Sequence, residues 1–464
     1  MKSLYRWITF VSLGIAVGIS CILLLMRFSG LHAPLIYDEI FSWITADPAH
    51  PFREVWTEVL RADVNVPLFN LLLRGWAYGV PMTIGWMRIV PIFFSVLTPV
   101  SAWFLAPKTW PRVEKIIFCT LLSCSFVLTL YSSFLRTYSL AVLLVCICTL
   151  LALQIVQAFI EGNAAPKKLW IAFGMCGILA CYSHYFAAAL FFITALFVLF
   201  ASFYYKKQRL WIMGVILLVG IIWLFWSGPV FYSLFASQGT GVGDTWWFRR
   251  GKWLASWDMF EFLLGPNSIK LGILVFVIVG MTSFLFEERA LFTRRPEVWL
   301  ALLQIVLLGG TVGVIGLWCN LLVERYFLMV LPGILLLLTG LLMHLQDRWK
   351  GFIVLLPVFV WLNMGYFFKA YDVPVTEPSG VADTFAYVTH VLHRNEVLVA
   401  YDRITYPGPA ARWTLEYFLP KNEPLLLTPL TRENASRMKA PESVPLVAPL
   451  SAFTYVMKFS EKYG

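Results

Sequence analysis

From the N-terminus onward, long apolar runs alternate with short polar breaks. The first run, about Trp7 to Met26, follows Lys2 and Arg6; it is too long for a signal-peptide core and lacks a small-residue cleavage site, so it reads as an uncleaved first span. Further runs fall at about 82–106, 116–131, 139–160, 169–183, 186–205, 210–231, 269–286, 297–318, 326–343 and 351–368. Most approach the length that a helix needs to cross a bilayer, which predicts about eleven transmembrane helices. The strict apolar–polar alternation of barrel strands is missing, which excludes a β-barrel. Two segments break the pattern. From about 28 to 80 the chain is amphipathic and charged, with helix-like pieces at Arg53–Arg61 and Leu68–Tyr78. From Lys369 onward it carries charges, prolines and short apolar stretches such as Glu396–Ala400, and no run able to span. The expected fold is an all-α polytopic membrane protein with a small α/β domain at its C-terminus. Residues 1–368 form the membrane domain and 369–464 the tail domain, with a helix near Ala382–His393 followed by a strand.

Composition agrees with this class. The chain is 59% hydrophobic and 13% charged, whereas a soluble domain carries about a quarter charged residues; soluble, disordered and fibrous classes are excluded. The net charge of +10 is explained by its placement. Lys108, Arg112 and Lys115 share one loop, Lys167 and Lys168 a second, and Lys206, Lys207 and Arg209 a third. Arg289, Arg294 and Arg295, then Arg348 and Lys350, continue the alternation. All fall on the side of the N-terminus, which the positive-inside rule makes cytoplasmic. The first loop (28–80), the loop at about 232–268 and the tail then face outward, and nucleic acid is not an expected partner. Cys21, Cys119, Cys124, Cys146, Cys148, Cys176 and Cys181 lie in or beside apolar runs, with only Cys319 near a loop. They read as packing residues, without a disulfide framework or a CxxC metal site.

Candidate chemistry follows from where acids are missing. None lies at the centre of a predicted span; Glu114 and Glu297 sit at edges. Ion-coupled transport usually needs an ionisable group inside the membrane, so the pattern weakens a transporter. The acids gather outside instead, beginning with Tyr37-Asp38-Glu39 in a segment rich in Phe, Trp and Ile. Partial desolvation there raises a carboxyl pKa, which suits one acid to act as general base while its neighbour orients it or binds substrate. The alternative is a solvated pair that marks where the first span leaves the bilayer. Other outward segments add Asp63-Val64-Asn65-Val66-Pro67-Leu68, Arg136 within Tyr131–Tyr138, His184 within Tyr182–Phe186, and Glu324-Arg325-Tyr326. Each alone fits an interfacial belt of tyrosines with snorkelling arginines. Together they gather acids, arginines, tyrosines and a histidine on one membrane face, a set that suits a lipid phosphate.

These motifs resemble a C-type (GT-C) membrane glycosyltransferase, similar to glycosyltransferase family 39, the group of protein O-mannosyltransferases and lipid A aminoarabinose transferases. Asp38-Glu39 matches the family's DE motif, and Met87-Arg88-Ile89-Val90-Pro91 resembles its arginine–proline start of the second span. The Asp63 segment resembles a D-x-H-P-P-L-Y pattern, with Asn65 for the histidine and Val66 for the first proline. Tyr131–Leu140 is similar to Y-S-Q-E-A-R-x-Y-S-L with Phe134 in place of an acid, Tyr182–Phe186 resembles Y-T-H-Y-F, and Arg325-Tyr326 with Pro332 resembles a late R-Y…P element.

The resemblance implies a polyprenyl-phosphate sugar as donor and a lipid, glycan or protein as acceptor. It implies transfer at the outer face of the membrane, with membrane lipids around the chain; the compact chain with a short outer tail points to a bacterial inner membrane. Asp38 would be the general base of an inverting displacement, with Glu39 or Asp63 holding it or the acceptor. Arg136 and Arg325 would meet the leaving phosphate, with Arg88, Arg249 and Arg250 behind them; Arg249-Arg250 reads equally as a basic loop meeting lipid headgroups. Asn65, Tyr138, His184, Tyr185 and Tyr326 complete the expected substrate pocket. No cofactor is required; Mg²⁺ or Mn²⁺ would suit Asp38, Glu39 and Asp63, but no spacing demands a metal. A transporter or flippase of lipid-linked sugars shares the phosphate-binding arginines and is the alternative function; a scaffold whose tail recruits a partner is the other.

Overall fold

The computed structural model describes residues 2–32, 35, 37–61, 65–236, 273–282, 295–316, 324–348, 352–361, 398–401 and 426–429. The main helices, in chain order, are α1 (Lys2–Met26), α2 (Tyr37–Ala46), α3 (Leu68–Ala77), α4 (Ile84–Leu105), α5 (Arg112–Cys124), α6 (Phe126–Leu130), α7 (Tyr138–Ile160), α8 (Lys167–Ser183), α9 (Tyr185–Tyr204), α10 (Arg209–Ala236), α11 (Ile273–Thr282), α12 (Pro296–Gly316) and α13 (Leu331–Arg348). The chain divides into two compact units: Met1–His32 with Arg88–Ala370, and Ala33–Met87 with Tyr371–Gly464.

The first unit is a helical membrane bundle. Among the described residues, six helices are long and apolar enough to cross a membrane: Trp7–His32, Ile84–Leu105, Tyr138–Ile160, Tyr185–Tyr204, Arg209–Val230 and Arg325–Asp347. The apolar helices Ile273–Thr282, Pro296–Val312 and Phe352–Trp361 are shorter. The apolar run expected at 116–131 is broken: Ser125 is extended (φ −61°, ψ 117°), and its hydroxyl accepts from Leu128 N at 3.5 Å to start α6. Serine caps a helix this way because its short side chain reaches the free N–H groups of the next turn.

Hydrophobicity alone does not say which helix is central. The α7 window is 89% buried at mean hydropathy 2.7, and the α10 window is 17% buried at 2.3. Lipid tails are as apolar as leucine, so an apolar face has no need of protein cover in a bilayer. What draws helices together is close approach and polar bridging. Any Cβ at Gly177 of α8 would overlap the Phe191 ring of α9, and one at Gly340 of α13 would lie 2.6 Å from Val298 of α12. Gln304 of α12, fully buried, donates through Nε2 to Thr149 of α7 (2.9 Å) and Thr194 of α9 (2.8 Å). Gln304→Leu removes both bonds and keeps the volume. It is expected to cost about 1–2 kcal/mol, since interhelical bonds in membranes are each worth roughly 0.6–1.7 kcal/mol. A lowered midpoint of thermal unfolding in detergent would show this; an unchanged midpoint would make the bridge energetically silent.

Arg27, just past α1, ties three helices and is 1% exposed. Its Nη1 donates to Ser95 O (2.5 Å) and Ser95 Oγ (2.7 Å), and Nη2 to Leu122 O (2.9 Å) and Ser123 O (3.2 Å). These carbonyls need outside donors. Ser95 O lies four residues before Pro99, which has no N–H to give it, and Leu122 and Ser123 sit in the last turn of α5, where carbonyls lack intrahelical partners.

A second polar knot joins α5, α12 and α13. Arg295 Nη1 meets Glu114 Oε1 at 2.8 Å and Glu297 Oε1 at 3.3 Å, and Nη2 meets Asp347 Oδ2 at 3.3 Å. The two glutamates at predicted span edges are thus structural partners of one guanidinium.

In the second unit, α2 packs on α3. Ile40 and Ile44, one turn apart, are buried in α2, and Phe69 and Leu73 in α3. Phe52–Glu54 is α-helical and continues as a π-helix over Val55–Leu60. Strands Leu398–Tyr401 and Leu426–Pro429 pair in parallel, Leu398 opposite Leu426. The expected helix at Ala382–His393 lies outside the described residues, and the strand Leu398–Tyr401 follows that segment in the chain.

Candidate active site

Asp38 and Glu39 are the second and third residues of α2. Both belong to the first turn, where free N–H groups and the positive end of the helix dipole favour carboxylates. The alternative to a catalytic pair is a solvated pair that marks where the first span leaves the bilayer. In the structure that span, Trp7–His32, ends earlier, and the acids open a separate ten-residue helix. Glu39 is 1% exposed and Ile40 beside it is equally buried. A solvated pair is thereby overturned for Glu39, because a carboxyl withdrawn from water must be engaged by protein groups. Asn65 is exposed and precedes Val66, Pro67 and α3. Asp63, Arg249 and Arg250 lie outside the described residues.

The remaining predicted residues belong to the first unit, and several come together there. The turn between α6 and α7 carries Tyr131, Phe134, Arg136 and Tyr138. It is pinned by Thr137 Oγ1 donating to Ser183 O (2.7 Å) and Ser139 Oγ donating to Tyr131 O (3.2 Å). The first of these bonds brings the Arg136 turn to the end of α8, beside His184. His184 lies 6.1 Å, ring to ring, from Tyr138 and 5.2 Å from Tyr326. Arg325 lies 6.0 Å from the Tyr326 ring. Tyr131 meets Tyr138 edge-on at 5.6 Å. A very small cavity of about 10 Å³ opens here, lined by Ser95, Thr98, Leu128, Tyr131, Tyr138, Ser139, Val142 and Leu328. Tyr185 is half-buried at the start of α9. Arg88 is 4% exposed and donates through Nη1 to Gly30 O (2.9 Å), so this arginine binds the chain end of the first span.

His184 has a defined chemical state. Its Nδ1 accepts from Phe186 N at 3.1 Å, capping α9, which leaves the ring proton on Nε2. Burial, reinforced by the charges of Arg136 and Arg325, pushes its pKa down to about 3. At neutral pH it is an uncharged donor held with two arginines, suited to binding an anion and unsuited to carrying protons.

Among the described residues, no three His, Cys, Asp or Glu side chains gather to hold a metal ion. Sequence reasoning missed Arg27, Arg74, the Arg295 knot and Gln304. Arg27 had a signal, being an arginine at the C-terminal end of an apolar run, and Arg74 had one in lying on the buried stripe of an amphipathic helix. Arg295 gave none, since its partners are far away in the chain.

Fold and site describe a polytopic helical membrane protein with a cationic, tyrosine-rich cluster in its bundle. The chain is similar to the crystal structure of ArnT from Cupriavidus metallidurans in the apo state. The identity is 13% over 96% of this chain and 94% of that one, with a TM-score of 0.43. It is also similar to the same protein bound to undecaprenyl phosphate (12% identity, 96% and 95% covered, TM-score 0.48). A third similar structure is the archaeal oligosaccharyltransferase AglB from Archaeoglobus fulgidus in complex with an inhibitory peptide and a dolichol-phosphate (13% identity, 93% and 61% covered, TM-score 0.43). No protein-family model matches the chain, and no curated protein matches it.

Proposed function

We propose that this protein is a membrane glycosyltransferase of the GT-C type. It moves a sugar from a polyprenyl-phosphate donor to a lipid, glycan or protein acceptor at the outer face of the membrane. The observation that carries the proposal is the meeting of Arg136, Arg325, Tyr138, Tyr326 and a neutral His184 in one cluster. Motifs scattered over some 190 residues thus contribute to a single anion-binding face; in the other unit, Glu39 of the acidic pair is withdrawn from water. In this reading about eleven spans, 1–368, carry an outer α/β domain, 369–464. The N-terminus is cytoplasmic, in a bacterial inner membrane, and the tail domain periplasmic or extracellular.

The reaction balances with the residues named. Asp38 takes the proton of an acceptor hydroxyl, whose oxygen forms a bond to the anomeric carbon as the bond from that carbon to the phosphate oxygen breaks. The configuration inverts, and the proton remains on Asp38. The polyprenyl phosphate leaves as a monoester that has gained one negative charge, which Arg136 and Arg325 neutralise while His184 Nε2 and the tyrosine hydroxyls donate hydrogen bonds. Glu39 and Asp63 position Asp38 or the acceptor.

Arg136→Gln and Arg325→Gln test this directly. Each is expected to lower kcat/KM for a polyprenyl-phosphate sugar by about 10²–10³, the usual loss for one group that stabilises a leaving anion. The assay uses membranes containing the protein and radiolabelled polyprenyl-phosphate hexoses and pentoses. Movement of label across proteoliposomes without transfer by the parent would sink the enzyme and favour a flippase.

A further inference from the structure

The face of α3 that packs inward is Phe69, Asn70, Leu73, Arg74 and Ala77. Four of these are apolar or amide residues at ordinary helical spacing, and the fifth is an arginine that is 3% exposed. A guanidinium is buried like this only when acceptors surround it. Three of those acceptors are carbonyls at the end of α2 and in the turn beyond it, and the fourth is a tyrosine hydroxyl at the end of α3. Arg74 Nη1 donates to Thr45 O (3.1 Å) and Asp47 O (3.0 Å), and Nη2 to His50 O (2.5 Å) and Tyr78 Oη (3.4 Å). The Phe52 and Tyr78 rings each lie 5.7 Å from its carbon centre.

The clasp acts on the end of α2. Thr45 is the second-last residue of that helix, and its carbonyl is one of the last four that have no intrahelical donor. The Trp43 and Ile44 carbonyls accept from Asp47 N (3.1 and 3.2 Å), so Arg74 serves the next carbonyl along and the turn beyond it. A cation at a helix C-terminus also opposes the dipole. Helices of ten residues are marginal by themselves. Among the described residues, α2 is held by its packing against α3 and Val55–Leu60 and by this fork of hydrogen bonds at its end. Its first turn carries Asp38 and Glu39.

We propose that Arg74 is a positioning residue: by clasping the C-terminal end of α2 from α3, it fixes the rotation and register of the helix that presents the acidic pair. The catalytic consequence rests on the reading of Asp38 as general base; the mechanical consequence does not. Lysine cannot replace arginine here, because a single ammonium does not span three carbonyls in the planar geometry of the fork.

Two measurements on the full chain in nanodiscs test this. In Arg74→Ala, amide hydrogen exchange across Tyr37–Ala46 is expected to quicken at least tenfold while Tyr138–Ile160 exchanges as in the parent; Arg74→Lys falls between. With radiolabelled polyprenyl-phosphate hexoses and pentoses, Arg74→Ala is expected to lower kcat at least tenfold with donor KM within twofold, and Arg74→Lys to recover part of the loss. Parent-like exchange over Tyr37–Ala46 overturns the clasp, and faster exchange there with parent-like kcat overturns its catalytic role. If Arg74→Ala loosens the whole chain, Arg74→Lys decides by the same two readouts. Asp38→Asn run alongside separates the readings: transfer that survives it removes the general base, while the exchange data still judge the clasp.

Discussion

Asp38→Asn is expected to lower transfer from a polyprenyl-phosphate sugar by a factor of about 10²–10⁴, the usual contribution of a positioned general base. The amide keeps the shape of the carboxyl and can occupy the same first turn of α2, but it cannot accept the acceptor's proton. An acceptor hydroxyl that keeps its proton is a poor nucleophile, so the loss is expected to fall on kcat, with donor KM little changed, since the proposed mechanism gives the phosphate to Arg136 and Arg325. Glu39→Gln provides the contrast. Glu39 is enclosed by the protein, and an amide there leaves buried partners with the wrong hydrogen-bond complement, so its loss includes a fall in stability. Initial rates and melting curves for both variants separate the roles. Transfer by Asp38→Asn at the parent's rate would end the assignment of Asp38.

The second large effect is on stability and lies among α5, α12 and α13. Arg295→Met leaves Glu114, 1% exposed at its side chain, and Glu297, 4% exposed, without their cation. Removing one partner of a buried pair costs about 3–5 kcal/mol. Because Arg295 and especially Asp347 retain contact with solvent, a loss near about 3 kcal/mol is expected, read as a lowered unfolding midpoint in detergent; a midpoint within error of the parent would refute it. The same knot makes stability depend on pH. Three carboxylates face one guanidinium, and burial outweighs the pull of Arg295, raising the Glu114 pKa from 4.5 to about 7. The folded protein thus holds this proton more tightly than the unfolded chain does. The contribution of Glu114 to stability is full below about pH 4.5 and is lost as pH rises through about 7. In Arg295→Met the pull of the cation is gone, so the falling limb moves to higher pH. A midpoint independent of pH between 4 and 8 would contradict this account of Glu114.

The acid pair, the arginines and His184 were legible because each sits in a short motif next to an apolar run, and their order along the chain carried the resemblance. What those residues do was less legible. His184 reads in the sequence as one residue of an aromatic turn. Only its hydrogen bond to Phe186 N and its place with Arg136 and Arg325 make it a neutral donor. Asp38-Glu39 reads either as a catalytic pair or as a solvated marker after the first span, because the pattern of residues does not show that a separate short helix begins at Tyr37 and buries Glu39. Glu114 and Glu297 read as edge charges, although they share one arginine.

Span length, apolar content and the side on which lysines and arginines gather are local properties. Each apolar residue favours lipid wherever its neighbours go, so the chain alone specifies a multi-span helical membrane protein and where its polar loops begin. The arrangement of the helices is not local. An apolar helix is equally content against lipid or protein, and α7 and α10 have similar mean hydropathy with very different burial. Packing is chosen instead by a few specific contacts between distant residues: Gln304 with Thr149 across 155 positions, Arg295 with Glu114 across 181, and Arg27 with the carbonyl that Pro99 leaves free. Buried polar groups must find partners whatever the distance along the chain, and which partner each one finds is settled only when the whole bundle closes.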